Sequence, residues 1–304
     1  MNKTELIKEL TTLLGKENIS LNEPMSKHTT FKVGGPAEIF VAPRTAGILS
    51  SILKIVNEGK VPYFILGNGS NLVVSDKGIK GVVICTTKAK TIVLKGNSIT
   101  ASCGVELSQL SKFAAKHGLS GLEFACGIPG TVGGAVYMNA GAYEGEISQI
   151  LSYSRVFKLE TNLIQMMNKA GHEFSYRHSS FQNEQYIHLN STFKLKPMDK
   201  KLILAKMAEL TESREAKQPL ELPSAGSVFR RPQGYFTGKL IEECNLKGFR
   251  IGDAAISTKH CGFIVNLGSA TAHDIKTLIA HVQKTIFDHC GVMLQTEIKF
   301  VGQA

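Results

Sequence analysis

No stretch of the 304-residue sequence approaches the roughly 18–20 consecutive apolar residues that a membrane-spanning helix needs. The first ten residues, Met-Asn-Lys-Thr-Glu-Leu-Ile-Lys-Glu-Leu, mix acids with bases and lack the apolar core of a secretion signal. A cytoplasmic protein without a membrane partner is therefore expected. Six cysteines, Cys85, Cys103, Cys126, Cys244, Cys261 and Cys290, are scattered with no C-x-x-C pair. That spacing argues against both a zinc site and a secreted disulfide framework. The phosphate loop G-x-x-x-x-G-K-[ST], the zinc-protease H-E-x-x-H and the nucleophile elbow G-x-S-x-G are all missing. The nine histidines form no ligand-like pair, so no metal is expected. Internal repeats and low-complexity tracts are also lacking.

What is present is ordinary in bulk and unusual in detail. Hydrophobic residues make up 43% and charged residues 20% of the chain, which places it among globular proteins. Its length allows two or three domains. The net charge of +10 has two readings. A nucleic-acid binder would concentrate its bases in a stripe with interleaved aromatics. Here the bases are spread, with adjacent pairs only at Lys200-Lys201 and Arg230-Arg231. An enzyme with polyanionic small-molecule ligands fits better, and no nucleic-acid partner is expected.

The sharpest local feature is Cys126 to Ala142, which holds five glycines in its first sixteen residues and almost no charge. A segment so poor in charge reads as buried, and one so rich in glycine reads as irregular backbone rather than helix or strand. Missing side chains let a ligand approach the main chain, and free amides favour anionic oxygens. A tight packing corner between two sheets would have the same composition. A second glycine loop, Gly67-Asn-Gly-Ser-Asn71, is fed by an apolar strand, Val61–Leu66, and left by another, Leu72–Val74. Its Gly67-x-Gly69 spacing matches a dinucleotide fingerprint, but a β-like run follows where a helix is required, so that reading fails. The loop suits a phosphate, or a plain hairpin turn.

Periodicity predicts helices over 3–15, 45–58, 105–117, 202–217, within 236–245 and over 271–289, with Thr45 as an N-cap and Gly118 as a left-handed stop. Strands are predicted on both sides of a Gly34-Gly35-Pro36 turn, at 81–86, and in a hairpin around Gly96-Asn97. Further strands are predicted near 151–159, 162–167, 185–195, 227–229, 254–257, 262–266 and 292–301. Pro219 and Pro223 mark a linker, with a domain boundary near 197–222.

Taken together, Gly67–Leu72, Gly127-Ile-Pro-Gly-Thr-Val-Gly-Gly-Ala135, Asn139-Ala-Gly-Ala142, Tyr176-Arg177, Ala225-Gly-Ser-Val-Phe229 and Glu297 resemble the UDP-N-acetylenolpyruvoylglucosamine reductase family, flavoenzymes of bacterial peptidoglycan synthesis. The resemblance runs from about His28 to Gly302. The compact length is similar to the shorter, type II branch, which lacks an inserted tyrosine-bearing loop over the substrate.

The resemblance implies an α+β fold. A two-part FAD-binding unit of the vanillyl-alcohol-oxidase and p-cresol methylhydroxylase type would cover 1–200, in subdomains of about 1–85 and 86–200. A smaller α+β substrate-binding domain would cover 205–304. FAD would be bound non-covalently by Gly67, Asn68, Gly69, Ser70, Asn71, Leu72, Gly127, Ile128, Pro129, Gly130, Thr131, Gly133, Gly134, Ala135, Asn139 and Gly141. NADPH would be the reductant, and UDP-N-acetylglucosamine enolpyruvate the substrate. Arg177 would clamp the substrate carboxylate, Ser227 would give a proton, and Glu297 would act as an acid near that carboxylate. Taken without the family, a structural ion pair is the alternative for Arg177, while a turn residue is the ordinary reading of Ser227 and a solvated strand face that of Glu297. Lys217, Arg231, Lys239, Lys259 and Lys299 would meet UDP phosphates or the carboxylate. Lys299 stands where the family carries arginine, which keeps charge but loses the bidentate fork. The competing readings are another FAD-dependent oxidase or dehydrogenase acting on a sugar or hydroxy acid, a non-catalytic flavin or nucleotide regulator, and a basic nucleic-acid binder. The sequence leaves the oligomeric state open, and a monomer is compatible with it.

Overall fold

The structure is a computed structural model and describes residues 1–303. Its contacts divide the chain into two units. The first comprises Met1–Leu21, Ile39–Asn68 and Gly81–Arg214; the second comprises Asn22–Glu38, Gly69–Lys80 and Glu215–Ala304. The sequence predicts one unit over 1–200 and another over 205–304. Instead Asn22–Glu38 and Gly69–Lys80 group with the C-terminal part. Their apolar residues explain this: Phe31, Val33 and Val73 lie in the same buried cluster as Ile256, Ile264, Ile275 and Leu278.

In the first unit, the helix Lys3–Leu14 opens with a capping box in which Asn2 accepts from the Glu5 amide and Glu5 accepts from the Asn2 amide. The helix Ala46–Glu58 starts at Thr45, whose hydroxyl accepts from the Ile48 amide. Its buried Leu49, Ile52, Leu53 and Val56 follow the i, i+3, i+4, i+7 spacing of one face. They share a core with Ile39, Val41, Val82 and Ile84. Those residues come from a sheet with strand order Ile19–Pro24, Pro36–Val41, Ile79–Cys85, Tyr63–Leu66. The Thr30–Val33 arm expected as a strand before the glycine turn is irregular, with Lys32 at φ +56°.

A second sheet has the order Leu163–Asn168, Leu151–Lys158, Tyr186–Lys194, Ser98–Ser102, Ile92–Lys95, and all of its recorded pairings are antiparallel. Within it lies a buried polar chain. His172 Nδ1 donates to Asn168 O at 2.8 Å, so Nε2 accepts from Ser154 Oγ at 2.7 Å. Ser154 in turn accepts from Ser191 at 2.6 Å, and Ser191 accepts from His188 Nε2 at 2.7 Å. His188 Nδ1 is then a bare acceptor, buried and without a partner among the described residues. Protonating it would create a buried N–H with nothing to bond. Burial, reinforced by neighbouring His172, pushes His188 down to about 3, and burial lowers His172 as well.

The sign of the resulting pH dependence follows from linkage. Between the ordinary histidine value near 6.5 and about 3, the unfolded chain binds a proton at His188 that the folded chain does not. Stability is therefore greatest above pH ~6.5 and falls as pH drops toward 3, with His188 contributing a slope of up to ~1.4 kcal/mol per pH unit and His172 acting in the same direction. Urea unfolding at pH 7, 6, 5 and 4 should show this decline, and His188→Phe should flatten it. An unchanged slope in the variant would assign the effect to other groups.

The second unit is built around the helix Ala272–Cys290. A capping box between Thr271 and Asp274 starts it, and Gly291 at φ +73° ends it. Ile275, Leu278, Ile279, Val282 and Ile286 form its buried stripe. They share a cluster with Ala225, Ile256 and Ile264 from a sheet ordered Ser224–Ser227, Phe263–Asn266, Ala254–Ile256, Arg250–Ile251. A separate parallel pair joins Leu72–Val74 to Lys299–Val301. The predicted long strand over 292–301 is reduced to these last residues plus an isolated bridge between Phe229 and Thr296.

Candidate active site

The two glycine segments touch within the first unit. Asn68 Nδ2 donates to Pro129 O at 3.2 Å. A Cβ added to Gly67 would lie 2.5 Å from Thr131 Oγ1, so a larger residue would press on the hydroxyl that caps the following helix. Gly69 sits at φ +61°, and a Cβ there would meet His28 O at 2.3 Å. The amides of Asn68, Gly69 and Ser70 have no acceptor among the described residues. Asn71 and Leu72 are committed differently. Lys299 N donates to Asn71 O at 3.0 Å, and Leu72 pairs with Lys299 in the parallel ladder.

The stretch 126–142 corrects the expectation of irregular backbone. Val132–Met138 is a helix, N-capped by Thr131, whose hydroxyl accepts from the Gly134 amide at 3.4 Å. Val132, Ala135 and Val136 are buried along one side and outweigh the helix cost of two glycines, about 1 kcal/mol each. Gly133 has a packing reason: its Cβ would lie 3.1 Å from that of Cys103. The first amides of the helix are already used, Val132 N by Val105 O at 2.8 Å and Gly133 N by Cys103 O at 2.9 Å. Ile128 N likewise donates to Ala125 O. The open backbone of this segment is the turn around Gly127, Pro129 and Gly130.

At its far end, Asn139 and Gly141 hold protein rather than present open groups. Asn139 is fully buried and left-handed, at φ 43° and ψ 54°. Its Nδ2 donates to Ser175 O at 3.1 Å and its Oδ1 accepts from Ser148 N at 2.9 Å. Gly141 O accepts from Arg177 Nη2 at 3.2 Å. Arg177 is half-buried, in a tight turn closed by hydrogen bonds between Ser175 and His178. It has φ +56°, and its guanidinium lies 5.0 Å from the centre of the Tyr176 ring.

Two residues that the sequence reading missed belong to this neighbourhood. Gln182 Nε2 donates to Tyr137 O at 3.2 Å and to Arg177 O at 3.0 Å. Arg214, on the helix Lys200–Lys217, packs its Cδ 2.8 Å from where a Gly127 Cβ would be. Its Nε is buried with no partner among the described residues, and burial pulls the guanidinium below its ordinary value. The only signal in the sequence was its place one helical turn before Lys217.

In the second unit, Ser227, Glu297 and Lys299 are drawn together through the backbone. Ser227 is exposed at the end of its strand, after Gly226 at φ +75°. Val228, the next residue, accepts from Glu297 N at 2.7 Å. Glu297 O accepts from Asn71 Nδ2 at 3.2 Å. Glu297 lies just outside the regular ladder, and the expected alternation is only partial: Ile298 is buried, Thr296, Glu297 and Lys299 are half-buried, and Phe300 is exposed.

The remaining basic residues are dispersed. Lys217 is exposed at a helix end. Arg231 lies over Phe236 at 4.0 Å and donates to Tyr235 O at 3.3 Å. Lys239 faces Glu243 at 3.7 Å, and Lys259 donates to Glu215 O at 2.7 Å. No described group of His, Cys, Asp and Glu could hold a metal ion. No helix of the described residues is long and apolar enough to cross a membrane.

Comparison with known proteins decides the family to which the chain belongs. Residues 218–301 match the C-terminal domain of UDP-N-acetylenolpyruvoylglucosamine reductase, and residues 37–161 match the FAD binding domain. A UDP-N-acetylenolpyruvoylglucosamine reductase of Clostridium perfringens is 48% identical over 98% of both chains. The chain belongs to the UDP-N-acetylenolpyruvoylglucosamine reductase family. Another member, from Listeria monocytogenes, is 49% identical over 94% of this chain and 95% of that one. The crystal structure of the Thermus caldophilus reductase superposes with a TM-score of 0.79 at 38% identity, covering 93% of this chain and 97% of that one. The α+β fold with an FAD-binding unit, expected from the resemblance, is the fold of this family.

Proposed function

We propose that this chain catalyses the FAD-mediated, NADPH-dependent reduction of UDP-N-acetylglucosamine enolpyruvate to UDP-N-acetylmuramate, as a cytoplasmic step of peptidoglycan synthesis. The observation that supports the reading is the backbone hydrogen bond from Glu297 N to Val228 O, which pairs the segment of Glu297 with the residue after Ser227. The residues present fit FAD. Gly67 and Gly69 admit close approach, and among the described residues the amides of Asn68, Gly69 and Ser70 have no acceptor and the Arg214 Nε beside Gly127 has no partner. These groups suit phosphate oxygens or the polar edge of a flavin. FAD held there would supply the hydride-transfer chemistry for the enolpyruvyl double bond, with NADPH as the source of electrons.

The chain's own residues supply charge and a proton. Arg177 holds the substrate carboxylate through its planar fork and offsets the negative charge that builds there as hydride arrives at the β-carbon. Ser227 Oγ gives its proton to the α-carbon, a centre basic enough to accept one from a weak acid. Glu297 is assigned the role of the acid that acts near the substrate carboxylate. Lys217 and Arg231 are assigned to the UDP phosphates, with Lys239, Lys259 and Lys299 as further cations; Arg231 would leave its Phe236 stack to do so.

Purified protein should be yellow, absorb near about 450 nm, and hold about one FAD per chain. It should oxidise NADPH far faster with UDP-N-acetylglucosamine enolpyruvate than without. Colourless protein that FAD does not reconstitute would overturn the proposal. Oxygen consumption with a sugar or hydroxy acid, independent of NADPH, would replace it with an oxidase.

A further inference from the structure

We propose that Gln182 is a positioning residue for Arg177, tying the turn that carries the guanidinium to the end of the helix Val132–Met138. The proposal rests on the reading of Arg177 as the carboxylate clamp. Arg177 is a poor residue to place unaided. It sits at φ +56°, a left-handed conformation that strains a side-chain-bearing residue, and its neighbours Ser175 and Tyr176 are exposed. A clamp must also hold its charge where charge develops, since reorganisation during the reaction cancels its benefit.

The structure shows what holds this turn. The side-chain amide of Gln182 has two hydrogens, and both are aimed at carbonyls: Arg177 O at 3.0 Å and Tyr137 O at 3.2 Å. The second carbonyl lies in the last turn of the helix that closes the glycine-rich stretch. Asn139, capping the same helix, donates to Ser175 O at 3.1 Å. Ser179 donates to Tyr137 O at 2.8 Å from the other side of the turn. One helix end therefore grips the turn before and at Arg177. A displacement of this segment by about 1 Å costs a reaction on the order of 100-fold when a group must be aligned.

Gln182→Glu tests the idea with little change in shape, because it turns a double donor toward two carbonyls into an acceptor. Gln182→Met keeps the length without donors or charge and serves the same test where the Glu variant does not accumulate. The readout is stopped-flow resolution of the two half-reactions. The Glu variant should slow reoxidation of reduced flavin by UDP-N-acetylglucosamine enolpyruvate by roughly 10–100-fold. Flavin content, the flavin spectrum and reduction by NADPH should stay within about twofold. In an Arg177→Ala background, Gln182→Glu should add less than about threefold, because the group it positions is gone.

Two failures can be told apart. If Arg177→Ala alone leaves reoxidation intact, the reading of Arg177 fails. If Arg177→Ala is crippling but Gln182→Glu is silent, or multiplies that defect in full, or slows both half-reactions alike, Gln182 does not position Arg177.

Discussion

Ser227→Ala is expected to leave flavin reduction by NADPH within about twofold and to slow transfer to the enolpyruvyl substrate by roughly 10²–10⁴-fold, the range in which general acids contribute. The argument for so clean a separation is structural. Ser227 is exposed, so removing its hydroxyl opens no cavity. Its backbone belongs to a strand that pairs with Phe263, and Val228 N donates to Gly262 O at 2.9 Å, contacts that alanine preserves. Gly226 already supplies the positive φ at the irregularity in the strand just before Ser227. What is lost is one proton source. A serine hydroxyl is a poor acid near pH 7, so it matters only in the step that creates a strongly basic carbon. Stopped-flow measurement of each half-reaction checks this; a parallel fall in both would make Ser227 a structural residue instead.

That prediction depends on Ser227 and Glu297 being neighbours, which no local pattern announces. Within single elements the sequence was readable. Leu49, Ile52, Leu53 and Val56 mark their helix by spacing alone, and Thr45 caps it where predicted. The hairpin around Gly96-Asn97 pairs Lys95 with Ser98, as a two-residue loop requires. The helix Ala272–Cys290 starts and stops at its polar cap and its glycine.

Long-range pairings were not readable. Asn71 meets Glu297 across 226 positions, and the Leu72–Lys299 ladder is parallel and only three residues long. Strands so short carry no periodicity, and this one draws Gly69–Lys80 into the second unit. The helix Val132–Met138 was hidden for a different reason. Its glycines lower helix propensity, and the contact that repays them, Gly133 against Cys103, is tertiary.

The site residues divide along the same line. Family motifs picked out Arg177, Ser227 and Glu297, but the roles of their neighbours had to come from geometry. Asn139 was assigned to the cofactor on its place in a glycine-rich motif. Its buried amide bonds Ser175 and Ser148 instead. Gln182 lies in no motif at all, and Arg214 only in a mixed helix, because the need each one meets is a carbonyl or a loop far away in sequence. A glycine-rich stretch thus does two jobs: its open turn suits the cofactor, and the helix end after it holds the turn of Arg177.

Arg177→Ala is accordingly expected to slow reoxidation of the reduced flavin by substrate by roughly 10²–10³-fold, the effect of removing one preorganised charge donor. Arg177→Lys should fall between it and the parent. Lysine keeps the positive charge but loses the fork and the rigid plane that lies against Tyr176, and a single ammonium cannot bind both carboxylate oxygens along parallel bonds. Fold effects should stay small. The loss of the Nη2–Gly141 hydrogen bond costs about 0.5–1.5 kcal/mol. The positive φ is a cost that alanine and lysine share with arginine, so it does not bias the comparison. Arg177→Gly supplies the control: it relieves the backbone strain and should be the most stable of the three variants by thermal melting, yet as slow as Arg177→Ala in the substrate half-reaction. Activity that followed stability across the three, with glycine fastest, would mean that Arg177 holds the turn and not the carboxylate.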